Sequence, residues 1–221
     1  MDLQHRLTRW FKPRFAITYP FGVLVLLFGY CDDSSIRHGI GFIIAGVLVR
    51  LWSNGYAIKN DKLTISGPYA FVRNPLYLGT FLITLGFVIA LNMGWLGVLF
   101  LAALSIAYYY TIQGEQGMLA AKFGETYRKY REKVPAMVPC FIPYTEGEKW
   151  PFNLKRLLDS KEHKPVFWIV ILLVIFHLKS RLLIEHQTMS GRSWGLVALA
   201  VALILLDILY EFNKKKIHSQ K

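Results

Sequence analysis

The apolar positions of this chain gather in six long runs, at 15–30, 39–58, 76–91, 95–112, 166–178 and 194–209, with charged stretches between them. A straight helix crossing a bilayer core needs roughly 20 apolar residues, with about 17 as the lower end. The runs at 15–30, 166–178 and 194–209 are short by that measure and must borrow flanking residues. The run at 166–178 is the weakest and reads equally well as a re-entrant or interfacial segment. The pattern predicts an all-α polytopic transmembrane bundle of about six spans. The third and fourth runs are separated only by Asn92-Met93-Gly94. So tight a turn forces an antiparallel pair, which brings Asn74–Leu78 and Tyr108–Glu115 to one membrane surface.

After Ile112 the character changes. Leu119, Phe123, Tyr127, Tyr130 and Val134 recur at three- and four-residue spacing opposite a strongly basic face, which predicts an amphipathic helix that prolongs the fourth span and lies along an anionic membrane surface. Pro135, Pro139 and Pro143 then end regular structure. The chain divides into a basic N-terminal segment with the first span (1–38), a core (39–143), and a charged linker with a C-terminal helical hairpin (144–221). No internal repeat of fixed period is present.

Composition sharpens this picture. The 221 residues are 54% hydrophobic, yet the formal net charge is +12. Placing the N-terminus, the 59–73 loop, the 113–164 segment and the C-terminal tail on one side gathers 21 of the 26 Lys and Arg there. That is the positive-inside pattern and predicts both termini in the cytoplasm. Lys179 and Arg181 fall on the opposite side and run against it. Trp10 and Phe11 are expected surface anchors. The basic start followed by an apolar run resembles a signal peptide but lacks a small-x-small cleavage site, so a retained span is expected. No basic stretch is interleaved with stacking aromatics outside the apolar runs, which argues against nucleic acid as a partner. Cys31 and Cys140 fall on opposite sides and should not pair, and no Cys or His has metal-ligand spacing.

The densest chemistry lies at Gly67-Pro68-Tyr69 and Arg73-Asn74-Pro75-Leu76-Tyr77-Leu78-Gly79. Pro75 suits the first turn of a helix and Asn74 is a favourable N-cap. The N–H groups of Leu76, Tyr77 and Leu78 should then face the loop and attract an anion. Arg50, near the end of the second run, either snorkels to the headgroups or faces an internal polar site.

Together with Glu115, Leu119, Phe123-Gly124, Tyr127, Tyr130 and Val134-Pro135, these motifs resemble the isoprenylcysteine carboxyl methyltransferase / phospholipid methyltransferase family of membrane enzymes. The resemblance covers roughly residues 40–140. It implies a methyltransferase that uses S-adenosyl-L-methionine without a Rossmann domain, the cofactor lying in a cytoplasm-facing cleft among the spans. It further implies that Lys62, Leu63, Thr64, Tyr69, Asn74, Pro75, Leu76, Tyr77 and Glu115 contact that cofactor. Physically, helix-end N–H groups suit the methionyl carboxylate, and Glu115 suits an amino or ribose group.

The chain departs from the family pattern in four places. Asn74 stands where many members have His, and Gln116 replaces the second glutamate of a Glu-Glu pair. Thr111 occupies the position of an arginine thought to bind a prenylcysteine carboxylate, and residues 145–221 run past the usual core. The acceptor is expected to be a lipophilic molecule with an amine, carboxylate or thiol, reached from the membrane lipids, with Arg50, Tyr109 and Tyr110 as substrate contacts. An amine or hydroxyl would have to lose a proton, and Tyr109, Tyr110 and Glu115 are the groups at hand. Two other readings use the same helices: a sterol-type reductase with NADPH, and a non-catalytic lipid-binding scaffold.

Overall fold

The computed structural model describes residues 13–58, 62–160 and 163–219; the anchors expected at Trp10 and Phe11 lie outside them. Among the described residues seven α-helices follow one another: α1 (Pro13–Phe28), α2 (Asp33–Tyr56), α3 (Pro75–Ala90), α4 (Gly94–Lys133), α5 (Leu154–Asp159), α6 (His163–Lys179) and α7 (Gly191–Ser219). A 3-10 turn at Gly67–Ala70 precedes α3, and a π turn at Ser180–Ile184 prolongs α6. No strand occurs among the described residues.

Four helical stretches are long and apolar enough to cross a membrane: α2, α4, Lys164–Ile184 and Gly191–Tyr210. The last two contain two of the three short runs of the sequence, 166–178 and 194–209. The π turn supplies the missing length to the 166–178 run, so this segment reaches the length of a full span rather than of a re-entrant loop. Helices α1 and α3 have only 16 residues each, so the expected count of about six is not reached by length alone.

The tightest packing joins α2 to α3, which run antiparallel with glycines facing glycines. A Cβ at Gly39 would lie 2.4 Å from the Gly86 carbonyl oxygen, and one at Gly46 2.5 Å from that of Gly79. The reciprocal overlaps, from Gly86 and Gly79, are 2.7 and 2.8 Å. Only hydrogen fits there, and the two backbones touch, the close approach that small residues give helices in lipid.

At one end, called here the turn side, polar groups lock the helix ends together. Asp32 caps α2 by accepting from the backbone N–H groups of Ser34 (2.8 Å) and Ser35 (2.9 Å). Asn92 donates to its other oxygen at 2.9 Å. These bonds, the Ser35 N–H foremost, hold the Asp32 carboxyl below the usual carboxylate range. Ser35 Oγ donates to the Ala90 carbonyl at 2.9 Å, tying the start of α2 to the end of α3. The turn into α4 uses two left-handed residues, Asn92 (φ 49°) and Gly94 (φ 51°).

The cations that run against the charge asymmetry find partners here. Lys179 Nζ donates to the carbonyls of Gly29 (2.7 Å), Leu26 (2.8 Å) and Leu27 (3.2 Å), capping the end of α1 where the helix dipole favours a cation. Arg181 Nε donates to the Thr188 carbonyl at 2.9 Å. Both cysteines are free, and the Cys31 N–H donates to buried Ser180 Oγ at 2.7 Å.

At the opposite, loop side, α4 bends at Gly124, whose φ of 50° and ψ of −125° no helix accommodates. The arm beyond carries the expected apolar stripe. Tyr127, Tyr130 and Val134 are buried against Ile65, Ala70 and Tyr144, with Leu119 and Phe123 alongside. The stripe is therefore covered by the chain's own loops, and the basic face is the part left outside. Residues 70–74 and 135–144 are laced by backbone bonds: Arg73 N–H to Pro135 O, Asn74 N–H to Ala136 O, Cys140 N–H to Phe71 O and Tyr144 N–H to Ala70 O. The start of the charged linker joins the same cap through Trp150 N–H to Ser66 Oγ and the Phe152 ring on Tyr56.

The glycine seam makes a testable claim. Gly46→Leu should lower the thermal midpoint of the detergent-solubilised protein by the equivalent of about 1–3 kcal/mol or more. Gly41→Ala, on the same helix with nothing within 4 Å of the added carbon, should leave it unchanged or higher. Equal midpoints for wild type and Gly46→Leu would show that the backbones do not touch.

Candidate functional site

Three stretches remote in sequence meet on the loop side: residues 57–58 with 62–64, residues 69–77, and α4 from Glu115 to Tyr130. They enclose a cavity of about 610 Å³, within the range of roughly 300–1,000 Å³ usual for small-molecule sites. Helix α3 begins in its wall. Pro75 sits in the first turn, where its fixed φ suits a helix and its missing N–H costs nothing.

Asn74 does not cap that turn. Its Nδ2 donates to the Ala136 carbonyl at 3.0 Å, and its backbone N–H goes to the same oxygen at 3.2 Å. The residue before proline is held out of the helical region, and here both of its amide groups fasten the 135–138 segment. The Leu78 N–H, expected to face the loop, donates to the Asn74 carbonyl at 3.1 Å.

One α-turn further, Tyr77 Oη donates to Glu115 Oε1 at 2.7 Å. The tight α3–α4 turn thus brings the two predicted stretches within hydrogen-bonding distance. Tyr108, 6% exposed, packs edge-on against Tyr77 with ring centres 4.9 Å apart. Beneath them, buried Leu104, Tyr108 and Ile112 form one inward row at four-residue spacing.

All nine residues predicted to bind a cofactor, Lys62, Leu63, Thr64, Tyr69, Asn74, Pro75, Leu76, Tyr77 and Glu115, line this cavity. The three substrate residues do not. Arg50 donates to Thr80 Oγ1 (2.5 Å) and the Leu76 carbonyl (3.4 Å) along the α2–α3 seam. Tyr110 is 68% exposed on the outer face of α4, while Tyr109, 60% exposed, borders a second loop-side cavity of about 490 Å³ with Arg73, Tyr108 and Arg131, because each helical step rotates a side chain by about 100°. Of the three consecutive tyrosines, Tyr108 is the one that faces inward.

Sequence reasoning missed Arg73, Met118, Lys122 and Phe123, which complete the wall. Met118 and Lys122 were legible as the i+3 and i+7 neighbours of Glu115 on one helix face. Arg73 donates to Tyr127 Oη at 3.2 Å, while its Nε is buried without a hydrogen-bond partner. Elsewhere Lys62 bonds Glu148 at 3.2 Å and lies over the Trp150 ring. The floor is fixed by Tyr130 Oη, which donates to the Tyr69 carbonyl at 2.6 Å. Burial pushes the Tyr130 phenol well above the usual tyrosine range, so it keeps its proton and remains a donor.

Residues 17–126 match the family model described as phospholipid methyltransferase. Over that stretch the chain is similar to the phospholipid methyltransferase family. It is similar to the protein-S-isoprenylcysteine O-methyltransferase of Schizosaccharomyces pombe, 36% identical over 136 residues, which are 56% of either chain. It is also similar to methanethiol S-methyltransferase 2 of Bradyrhizobium diazoefficiens, 36% identical over 98 residues, 44% of this chain and 33% of the relative. The cobalt-zinc-cadmium resistance protein CzcN of Cupriavidus metallidurans is 28% identical over 172 residues, 71% of this chain and 76% of that one. The match thus spans about half the length of the first of these relatives. No solved structure matches the chain. Among the described residues no group of three or more His, Cys, Asp or Glu could hold a metal ion.

The family stretch ends at residue 126, so it contains Glu115 and the α3 start but not the Tyr127–Tyr130 floor. Tyr130→Phe should therefore act on stability. Leaving the buried Tyr69 carbonyl without its donor costs about 1–3 kcal/mol, read as a lower thermal midpoint, whereas Tyr110→Phe on the outer face should have no effect. Equal midpoints for the two variants would remove the Tyr130–Tyr69 bond from the fold.

Proposed function

We propose that this chain is an integral membrane methyltransferase that takes S-adenosyl-L-methionine in the loop-side cavity and methylates a lipophilic acceptor. The observation that carries this reading is the gathering of all nine motif residues, from three separate stretches, around one cavity of about 610 Å³. When bound, the cofactor supplies an electrophilic methyl group on a sulfonium sulfur.

The lining suits such a guest. Glu115, positioned by Tyr77, offers a carboxylate to the ammonium or the ribose hydroxyls. Arg73, with a buried Nε lacking a partner, and the first turn of α3 offer donors to the carboxylate. Phe123 and Tyr69 offer ring faces to the adenine. A buried guanidinium N–H left without an acceptor is costly, and an anion beside it removes that cost. Positioning an acceptor atom within about 3–3.5 Å of the methyl carbon supplies much of the rate of such a displacement.

Residues 39–143 form the catalytic core in this reading, with 1–38 adding the first span and 144–221 a C-terminal hairpin. The loop side holds most of the Lys and Arg, so it faces the cytoplasm together with both termini. The S. pombe and B. diazoefficiens relatives, by name a prenylcysteine and a methanethiol methyltransferase, support methyl transfer and bracket the acceptor from large to small.

Thermal stabilisation of the solubilised protein by S-adenosylhomocysteine, and none by NADPH, is the expected outcome. Glu115→Gln should weaken that binding about 10- to 100-fold, the effect of losing a hydrogen bond to a charged group, with expression unchanged. Stabilisation by NADPH instead would favour a reductase, and by neither ligand a scaffold.

A further inference from the structure

Beyond the family stretch, residues 144–153 run as a strap across the loop side, between the end of the α4 arm and the end of α2. Each part of it is fastened. The Tyr144 N–H donates to the Ala70 carbonyl and the Asn153 N–H to the Gly55 carbonyl, both at 2.9 Å. Glu146 pairs with Lys133, and Gly147, at φ 84°, lies against Ile65, where a Cβ would come within 2.5 Å of that side chain. The Trp150 N–H donates to Ser66 Oγ at 2.7 Å. So held, the strap presents Glu148 and the Trp150 ring to Lys62. The Lys62 Nζ lies 3.3 and 3.2 Å from the two carboxylate oxygens and 4.1 Å from the ring centre. Lys62 lines the first cavity; Glu148 and Trp150 do not.

We infer that the strap sets the charge of the first cavity: Glu148 and Trp150 hold the Lys62 ammonium outside it, so that it admits a cationic guest, and Glu148 is a positioning residue for the methyl donor. The inference rests on the methyltransferase reading of that cavity. Three cations, Lys62, Arg73 and Lys122, border it against one carboxylate, Glu115, which accepts from Tyr77. S-adenosyl-L-methionine brings a carboxylate, an ammonium and a sulfonium, a net positive charge. S-adenosylhomocysteine lacks the sulfonium and is neutral overall. Every uncompensated cation in the wall therefore opposes the donor more than the product. Arg73 suits the carboxylate of either. Lys62 lends its stem to the wall, while its charge is met by Glu148 and the ring face of Trp150. An isolated exposed pair contributes little, because two long side chains must be held still for it. Here the backbone beneath Glu148 is already fastened on both sides. The ammonium also meets both oxygens and an aromatic face at once, so less ordering is left to oppose the contact.

The test is calorimetric titration of the full, detergent-solubilised chain with S-adenosyl-L-methionine and S-adenosylhomocysteine. Glu148→Gln should weaken the donor about two- to fivefold relative to the product, the range of a partly screened charge. Adding Lys62→Gln to the same chain should return the ratio of the two affinities to that of wild type. An unchanged ratio in Glu148→Gln, equal weakening of both ligands as from a purely structural contact, or a shift that persists in the double variant would overturn the inference. A second measurement needs no ligand. Acetylation of Lys62, read by mass spectrometry of its peptide, should be faster in Glu148→Gln than in wild type, and equal rates would show that the pair does not restrain the amine. Faster acetylation in that variant, with a wild-type chain that binds neither ligand, would leave the restraint in place and defeat the methyl-transfer reading alone.

Discussion

Helix α3 is too short for its neighbours, and the loop-side architecture follows from that mismatch. Its 16 residues rise about 24 Å, against a hydrocarbon core of about 30 Å. Helix α4, with 40 residues, overshoots the same core. The tight turn at Asn92–Gly94 aligns the two at the turn side, so the whole difference in length appears at the other end. There α3 stops while α4 continues. The step between them is where a cavity can exist without unpaired backbone facing lipid, because the irregular chain around Gly67–Asn74 is buried in protein. The glycine seam with α2 matters for the same reason: it holds α3 from behind, so the height at which Pro75 begins the helix is fixed.

The bend at Gly124 completes the enclosure. Without it, α4 would carry Tyr127, Tyr130 and Val134 straight away from the bundle. With it, the arm folds over residues 63–71, and the Tyr130–Tyr69 bond closes the floor. An apolar stripe on a basic helix thereby serves as a lid for the chain's own loops. The positive face turned outward is the remainder of that arrangement, and it lies where anionic headgroups of the adjoining leaflet would meet it. At the turn side electrostatics works differently: cations there are few, and Lys179 is tolerated because it caps the carbonyls ending α1.

Much of this was legible in the sequence. The apolar runs gave the helices, the three-residue turn gave the α3–α4 pairing, and the nine residues expected around a cofactor line one cavity. What escaped had identifiable causes. Gly39/Gly46 and Gly79/Gly86 each recur at seven-residue spacing, but in runs that apolar content already explained, so the tightest helix contact left no mark in a hydropathy reading. Asn74 looked like a cap because sequence records local preference; its amide instead serves Ala136, a residue brought near only by the folded cap. Tyr108, Tyr109 and Tyr110 could not be told apart for want of phase: three adjacent tyrosines are equivalent in a sequence and point three ways on a helix, Tyr108 and Tyr109 bordering a cavity and Tyr110 outward. For Arg50 the sequence left headgroups and an internal polar site as alternatives, and its guanidinium reaches Thr80 Oγ1 and the Leu76 carbonyl of the next helix.

The partition between the two loop-side cavities is the last consequence of the α3–α4 step. It is two residues thick, Tyr77 against Tyr108 and Asn74 against Ala136, with Arg73 bordering both chambers. Each half of those pairs is fixed from its own side, Tyr77 by Glu115 and Asn74 by two bonds to one carbonyl, so the wall does not depend on a guest for its shape. The length difference between two neighbouring helices, closed by one glycine bend, produces that wall.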